Sequence, residues 1–216
     1  MKIKDVEKLQ DKLDQEFSWR KKELICFKQM IETDPKNTKM LIRAGIALLC
    51  AHFEGFIRLA SNYYVVYISC KKVPVDNIKN CLLALKLKKK FEECGKTEKT
   101  SVHASLINKL EEMKGTYFEI RYSDDDKIIK TESNPTSEKI CEIMDCLGLD
   151  FSVFEPKKHY IDFSLLKHRH EIVHGERTEL EKDDFIETFD IIMQIIEEYK
   201  QLIIKAAEEE AYKKCV

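Results

Sequence analysis

Apolar residues recur at helical spacing along most of the chain. Ile3, Val6, Leu9, Leu13 and Phe17, then Leu24, Phe27 and Ile31, mark one face of a long first helix, which the Asp34-Pro35 pair ends. The run that follows, MLIRAGIALLCAHFEGFIRLASNYYVVYIS, is apolar on most of its faces, with Asn37 or Thr38 placed to cap it. Such a helix belongs at the centre of the fold, and its few charges need partners. Pro74 opens a third helical stretch through CLLALKLKKKFEEC to Gly95, and residues 98–113 make a fourth with Val102, Leu106, Leu110 and Met113 inward. After Gly115 the period changes. TYFEIRYS alternates β-forming residues, Asp124 to Asp126 suit a turn, and KIIKTES alternates again, which predicts a small β-hairpin or a loop insertion over 114–136.

Helical spacing returns over residues 136–147, ending at Gly148, and again in HYIDFSLLKHRHEIVHG, which Gly175 stops. Thr178 and Glu181 have capping-box spacing ahead of a last long helix over residues 181–212, with Phe185, Phe189, Ile192, Ile195, Ile196, Tyr199 and Ile203 on its apolar face. The pattern therefore predicts an all-α helical bundle with long first and last helices and one insertion, forming a single domain over residues 1–216.

Composition supports this picture. With 6 Gly and 4 Pro against 35% charged residues, the chain suits long charged helices better than a turn-rich β protein. A formal net charge of −2 excludes a global basic field, so any polyanionic ligand must be drawn by local patches. The apolar segment Ile42 to Ile68 carries Arg43, Glu54 and Arg58 and is expected to be a buried core helix rather than a membrane span. No basic segment followed by an apolar run opens the chain, and the expectation is a cytoplasmic protein with no membrane partner. The eight cysteines form no CxxC pair and fall mostly at apolar positions, as reduced core thiols would.

Candidate chemistry concentrates in one place. Four of the six histidines (His159, His168, His170 and His174) lie within sixteen residues, beside Lys157, Lys158, Lys167 and Arg169. Two motifs overlap there. Arg169 to His174 is RxxxxH, and HEIVH is HExxH, the spacing that sets two imidazoles one helical turn apart for zinc. RxxxxH alone is short enough to arise by chance, and the plain alternative is a helix end whose charges are solvated or paired with Glu171 or Glu176. Glu54 is either a buried carboxylate paired with Arg58 or a residue facing the site. Lys86, Lys88, Lys89 and Lys90 suit an RNA backbone, and equally a solvated helix end; Tyr63, Tyr64 and Tyr67 suit core or a subunit surface.

The combination is more specific than its parts. LLCAHFEGFIRLASNYY on the buried helix, together with an RxxxxH followed at once by Gly175, resembles the HEPN superfamily, in particular its small stand-alone microbial members. The resemblance spans about residues 40–70 and 160–205 and leaves the 114–136 insertion uncovered. It implies a helical bundle that dimerises through the helices near RxxxxH, and a metal-independent endoribonuclease without a cofactor, built from the Arg and His of both subunits. Arg169 and His174 take the catalytic positions, with His170 and Glu54 in supporting or substrate-binding places. The family usually has a small polar residue such as Asn where this chain has His170, which leaves that role open. RNA is the implied substrate, and a toxin or antiviral setting with a cognate antitoxin or regulatory partner is the implied context.

Physical chemistry agrees with the composite site. Residues five apart on a helix point about 140° away from each other at 3.6 residues per turn, so a two-fold axis is needed to bring Arg and His together. An Arg fork can hold phosphate oxygens, while a histidine can move a proton near neutral pH. Two alternatives remain at this level. One is a HEPN module that binds without cutting. The other is an HExxH zinc metallopeptidase, which lacks the HExxHxxGxxH continuation, because Gly175 follows directly and residue 180 is Leu, and which would have to recruit Glu187 or Glu197 as third ligand.

Overall fold

The longest apolar run becomes the helix around which the others assemble. In the computed structural model, which describes residues 2–122, 128–131, 135–177 and 179–214, this is α2, Thr38–Cys70. Its buried residues run from Ile42 to Ile68 without keeping to one stripe, so neighbours must cover it on several sides. It is long and apolar enough to cross a membrane by length and composition, but it spends its apolar surface on packing inside the bundle.

Two long amphipathic helices supply most of that cover. α1, Val6–Thr33, starts at Asp5, whose carboxylate accepts the Lys8 N–H at 2.8 Å, and it stops at Asp34 ahead of Pro35. Leu9, Leu13, Phe17, Leu24 and Ile31 form its buried stripe. The last long helix, Lys182–Glu208, is capped by a reciprocal pair in which Glu181 and Asp184 each accept the other's backbone N–H. The predicted Thr178–Glu181 box is thereby displaced by one turn, since Glu181 stands at the cap itself rather than inside the helix; Thr178 lies outside the described residues. Between α1 and this last helix run the ion pairs Lys200 to Asp14 and Lys28 to Asp190, both at 2.7 Å. The buried hydroxyls of Ser61 and Tyr199 meet at 2.7 Å between α2 and the last helix.

Two expectations need correction. The stretch from Pro74 to Gly95 is not one helix. It is a 3-10 turn at Val75–Asn77, then α3 at Asn80–Lys86 and α4 at Lys88–Gly95, bent at Leu87. α5, Thr100–Met113, rests on the short α4. Met113 is therefore buried while Leu110 stays 39% exposed, despite the inward face that spacing predicts. Of the two forms expected for the insertion, hairpin or loop, its described part takes the loop. Residues 117–122 and 128–131 form no strand, and only Tyr117 bridges to Pro74. The alternating apolar residues are buried as expected, Phe118 and Ile129 among them, but against the helices rather than on a paired ribbon. Polar groups of α2 take the place of a partner strand: Asn62 Oδ1 accepts the N–H groups of Ile128 and Ile129 at 3.0 and 3.1 Å, and Ser69 Oγ accepts that of Ile120 at 3.1 Å. The three aspartates read as a turn lie outside the described residues.

The remaining elements are α6, Ser137–Leu147, which ends at Gly148 as its sequence predicts, and a helical segment containing RxxxxH, described below. Among the described cysteines all are free thiols. Cys50 is buried, Cys26 is exposed and the rest lie between, so the core-thiol reading holds in full only for Cys50. Tyr64 and Tyr67 are core residues whose hydroxyls reach the Ala206 and Ala207 carbonyls.

Two features of α2 make testable demands. A Cβ on Gly45 would sit 2.8 Å from the Phe185 ring and 3.1 Å from Ile31 Cδ1, so Gly45→Ala is expected to cost about 1–3 kcal/mol by overpacking. Thermal melting should show this as a drop of several degrees. His52 is buried against Trp19, with Nε2 2.7 Å from Glu23 Oε2, and burial holds its pKa below the ordinary value although Glu23 pulls the other way. The unfolded chain then binds a proton more readily than the folded one. This contribution is intact above the unfolded imidazole pKa, about 6.5, and is lost as pH falls below it. Urea titrations from pH 7 to pH 5 should show an acid loss of stability that is smaller in His52→Gln.

Candidate active site on the motif helix

Residues 152–175 build the site. A 3-10 turn at Ser152–Lys157 carries Pro156 and leads into a segment wound as a π-helix at Tyr160–Lys167, which passes into the short helix α7, His168–Val173. Wide π turns are rare and recur at functional sites, and the sequence pattern, read as plain α-helix, does not reveal this one. From the first residue of α7, His168 Nδ1 donates back to the Ser164 carbonyl of the π segment at 2.9 Å. A carbonyl only accepts, so that ring carries its proton on Nδ1. Gly175, at φ +77°, closes α7: its own N–H bonds to Ile172 O, and the Glu176 N–H bonds back to Glu171 O at 2.9 Å.

Polar clamps fix this segment from three sides. The Asp162 carboxylate accepts the Ser137 N–H at 2.8 Å and the Ser137 hydroxyl, joining the motif helix to the start of α6. The Tyr160 hydroxyl donates to Glu187 at 2.7 Å, and Lys157 pairs with Glu198, both on the last helix, α8. From α2, Arg43 donates to the Glu176 carbonyl at 2.6 Å and holds the loop that follows the motif.

Arg169 and His174 leave this scaffold in different surroundings. Arg169 is half-buried and lies within electrostatic reach of Cys50 on α2. Burial pushes the Cys50 thiol up to about 11; the Arg169 charge opposes that shift and the Glu54 charge adds to it. Among the described residues the Arg169 guanidinium has neither a hydrogen bond nor an ion pair. His174, at the end of α7, is exposed, and its ring lies against that of exposed His170 with centroids 4.3 Å apart. No direct bond links Arg169 to His174 within the chain.

Glu54 is largely occupied. Its Oε1 accepts the Thr131 hydroxyl at 2.6 Å and lies 4.0 Å from Arg58 Nη1, so this partly buried carboxylate has partners on the insertion and on its own helix. His170 and His174 do sit together as the HExxH spacing requires. Among the described residues, however, no third His, Cys, Asp or Glu joins them as a metal-binding group, and Glu187 is engaged by Tyr160. Of the lysine run, Lys90 pairs with Glu93 and Lys86 lies over the Phe118 ring.

A family model described as RiboL-PSP-HEPN matches residues 15–205, spanning the buried HFEGF helix, the insertion and RxxxxHG. The chain belongs to the HEPN superfamily. No curated protein and no solved structure matches it. Membership points to a nuclease-type or RNA-related function at the coarse level.

For this HEPN protein two site-shaping residues escaped the sequence pattern. Thr131 sits in an insertion that no motif covers, and Asp162 reads as one more polar residue on a helix. Only the placement of α2 and α6 gives either a partner. The Thr131 hydroxyl is buried against Glu54, so Thr131→Val should leave a carboxylate oxygen unsatisfied and cost about 1–3 kcal/mol. Thr131→Ser should retain most of the stability, and urea unfolding of the three proteins measures the difference.

Proposed function

We propose that this chain is a metal-independent endoribonuclease whose site is completed across a homodimer, with Arg169 and His174 as catalytic residues. The observation that carries the reading is the half-buried Arg169 guanidinium, held on a helix clamped from three sides yet left without an anionic partner among the described residues. A partly desolvated cation without a partner is poised for an anion brought by a ligand, and a phosphodiester fits its fork.

The different surroundings of Arg169, half-buried, and His174, exposed at the end of α7, support a composite site, because residues five apart on a helix point about 140° away from each other. The motif segment also leaves Phe163 and Val173 exposed, at 56% and 58%, apolar surface that a second copy could cover. In the proposed reaction one histidine removes the proton of the RNA 2′-OH, and the 2′ oxygen attacks the adjacent phosphorus. Arg169 stabilises the charge developing on the five-coordinate phosphate, and the 5′ oxygen leaves with a proton given up by the second histidine of the paired site, which enters the reaction as the imidazolium. The products are a 2′,3′-cyclic phosphate and a 5′-OH, and DNA is inert. An RNA-degrading toxin or antiviral effector, restrained by a cognate partner, is the setting that such an activity fits.

Two other readings compete: a HEPN module that binds RNA without cutting, and zinc held by the adjacent His170 and His174. The test is cleavage of labelled single-stranded RNA by the wild type, Arg169→Ala and His174→Ala, with and without EDTA. Expected is cutting that survives EDTA and falls about 10²- to 10⁴-fold in each variant, with a cyclic phosphate end. Cutting abolished by EDTA, or a particle of single-chain mass at micromolar concentration, would sink the proposal. RNA retained but never cut would favour the binding module.

A further inference from the structure

Next to the motif helix lies a cavity lined by neither Arg169 nor His174. Thr136 and Glu138 line it from the start of α6, and Asp162, Leu166, Lys167 and His170 from the motif helix, around a volume of about 380 Å³. That is within the roughly 300–1,000 Å³ typical of small-molecule sites. The Asp162–Ser137 clamp joins its two walls, so the cavity is a fixed feature of the helix junction.

Its polar groups divide into spent and free. Both Asp162 oxygens are taken by Ser137, and the Thr136 hydroxyl accepts the Lys139 N–H at 3.1 Å. Among the described residues Glu138 and Lys167 make no ion pair or hydrogen bond, so the cavity presents one free carboxylate and one free ammonium. Leu166, 6% exposed, offers an apolar wall, and the exposed His170 ring offers a flat surface. The His170 ring lies 4.3 Å, centroid to centroid, from that of His174, so a ligand stacked on it lies beside one of the proposed catalytic residues.

A free carboxylate accepts hydrogen bonds and donates none. Of the four RNA bases only guanine presents two neighbouring donors, N1–H and N2–H, on its Watson–Crick edge, with the O6 acceptor next to them. Adenine and cytosine set an amino group beside an acceptor nitrogen, and uracil sets its one N–H between two carbonyls. We infer that this cavity is a guanine subsite: Glu138 accepts from N1–H and N2–H, Lys167 donates to O6, and His170 stacks on the base adjoining the scissile phosphate. The inference rests on the ribonuclease reading for the class of ligand and adds a sequence preference to it.

The test titrates guanosine, adenosine, cytidine and uridine 3′-monophosphates into the full chain and into Glu138→Gln and Lys167→Met, following the His170 imidazole signals by NMR. Guanosine monophosphate is expected to bind about tenfold or more tightly than the other three and to shift those signals. Glu138→Gln, which replaces one acceptor by a donor, should abolish the difference while the circular-dichroism melt stays unchanged. Equal binding of all four nucleotides, no binding of any, or a preference that survives Glu138→Gln would overturn the subsite. Because titration needs no cleavage, the two proposals fail separately. Selective guanosine binding by a chain that cuts nothing keeps the subsite and removes the nuclease, whereas RNA cut with equal affinity for all four bases does the reverse.

Discussion

The structure depends on the burial of a helix that is apolar on most of its faces. α2 cannot stand in water, so α1, α8, α6, the insertion and the motif helix are all drawn onto it. Its polar groups cannot be buried alone either, because each unsatisfied one carries a desolvation cost. Each therefore selects a neighbour: His52 faces Glu23 of α1, Ser61 meets Tyr199 of α8, Asn62 takes the backbone of the insertion, Glu54 takes Thr131, and Arg43 takes the loop after the motif. The apolar surface supplies the attraction, and the polar groups set the register.

That register determines what the motif helix can do. Arg169 lies within electrostatic reach of Cys50 in the middle of α2, while His170 and His174 stay in solvent. The π turns just before α7 change the angular spacing of side chains, so residues on the two sides of the junction share faces that plain α-helical counting would not assign. Asp162 can then reach back to the start of α6 while Arg169 reaches α2. The clamps hold the backbone on three sides and leave the charged ends of Arg169, Lys167 and Glu138 available to a ligand. Such a rigid support with unpaired functional groups suits a site that must meet a charged substrate without reorganising.

The insertion links these two themes. Its described residues satisfy their backbone on Asn62 and Ser69, end on Glu54 through Thr131, and lead on to the start of α6 beside His170. A segment that reads as a local excursion thus borders the candidate site along its far end.

What the sequence determined by itself follows from local periodicity and local chemistry. The all-α class, the long α1 and α8, the central place of α2, the stops at Pro35, Gly148 and Gly175, and the HEPN membership signalled by HFEGF and RxxxxHG are properties of short windows, and short windows carry them. Tertiary structure alone decided the rest: the break at Leu87, the non-strand course of 117–122 and 128–131, the π winding at Tyr160–Lys167, the Thr131–Glu54 and Asp162–Ser137 pairs, and the lack of a partner for Arg169, Glu138 and Lys167 among the described residues. Each depends on which distant group arrives opposite a residue, across sequence separations of 77 for Thr131 and Glu54 and 25 for Ser137 and Asp162. Local spacing shows that a residue is polar or apolar, whereas a partner is specified only once the helices have packed, because satisfaction of a buried group is a relation between two places in the chain.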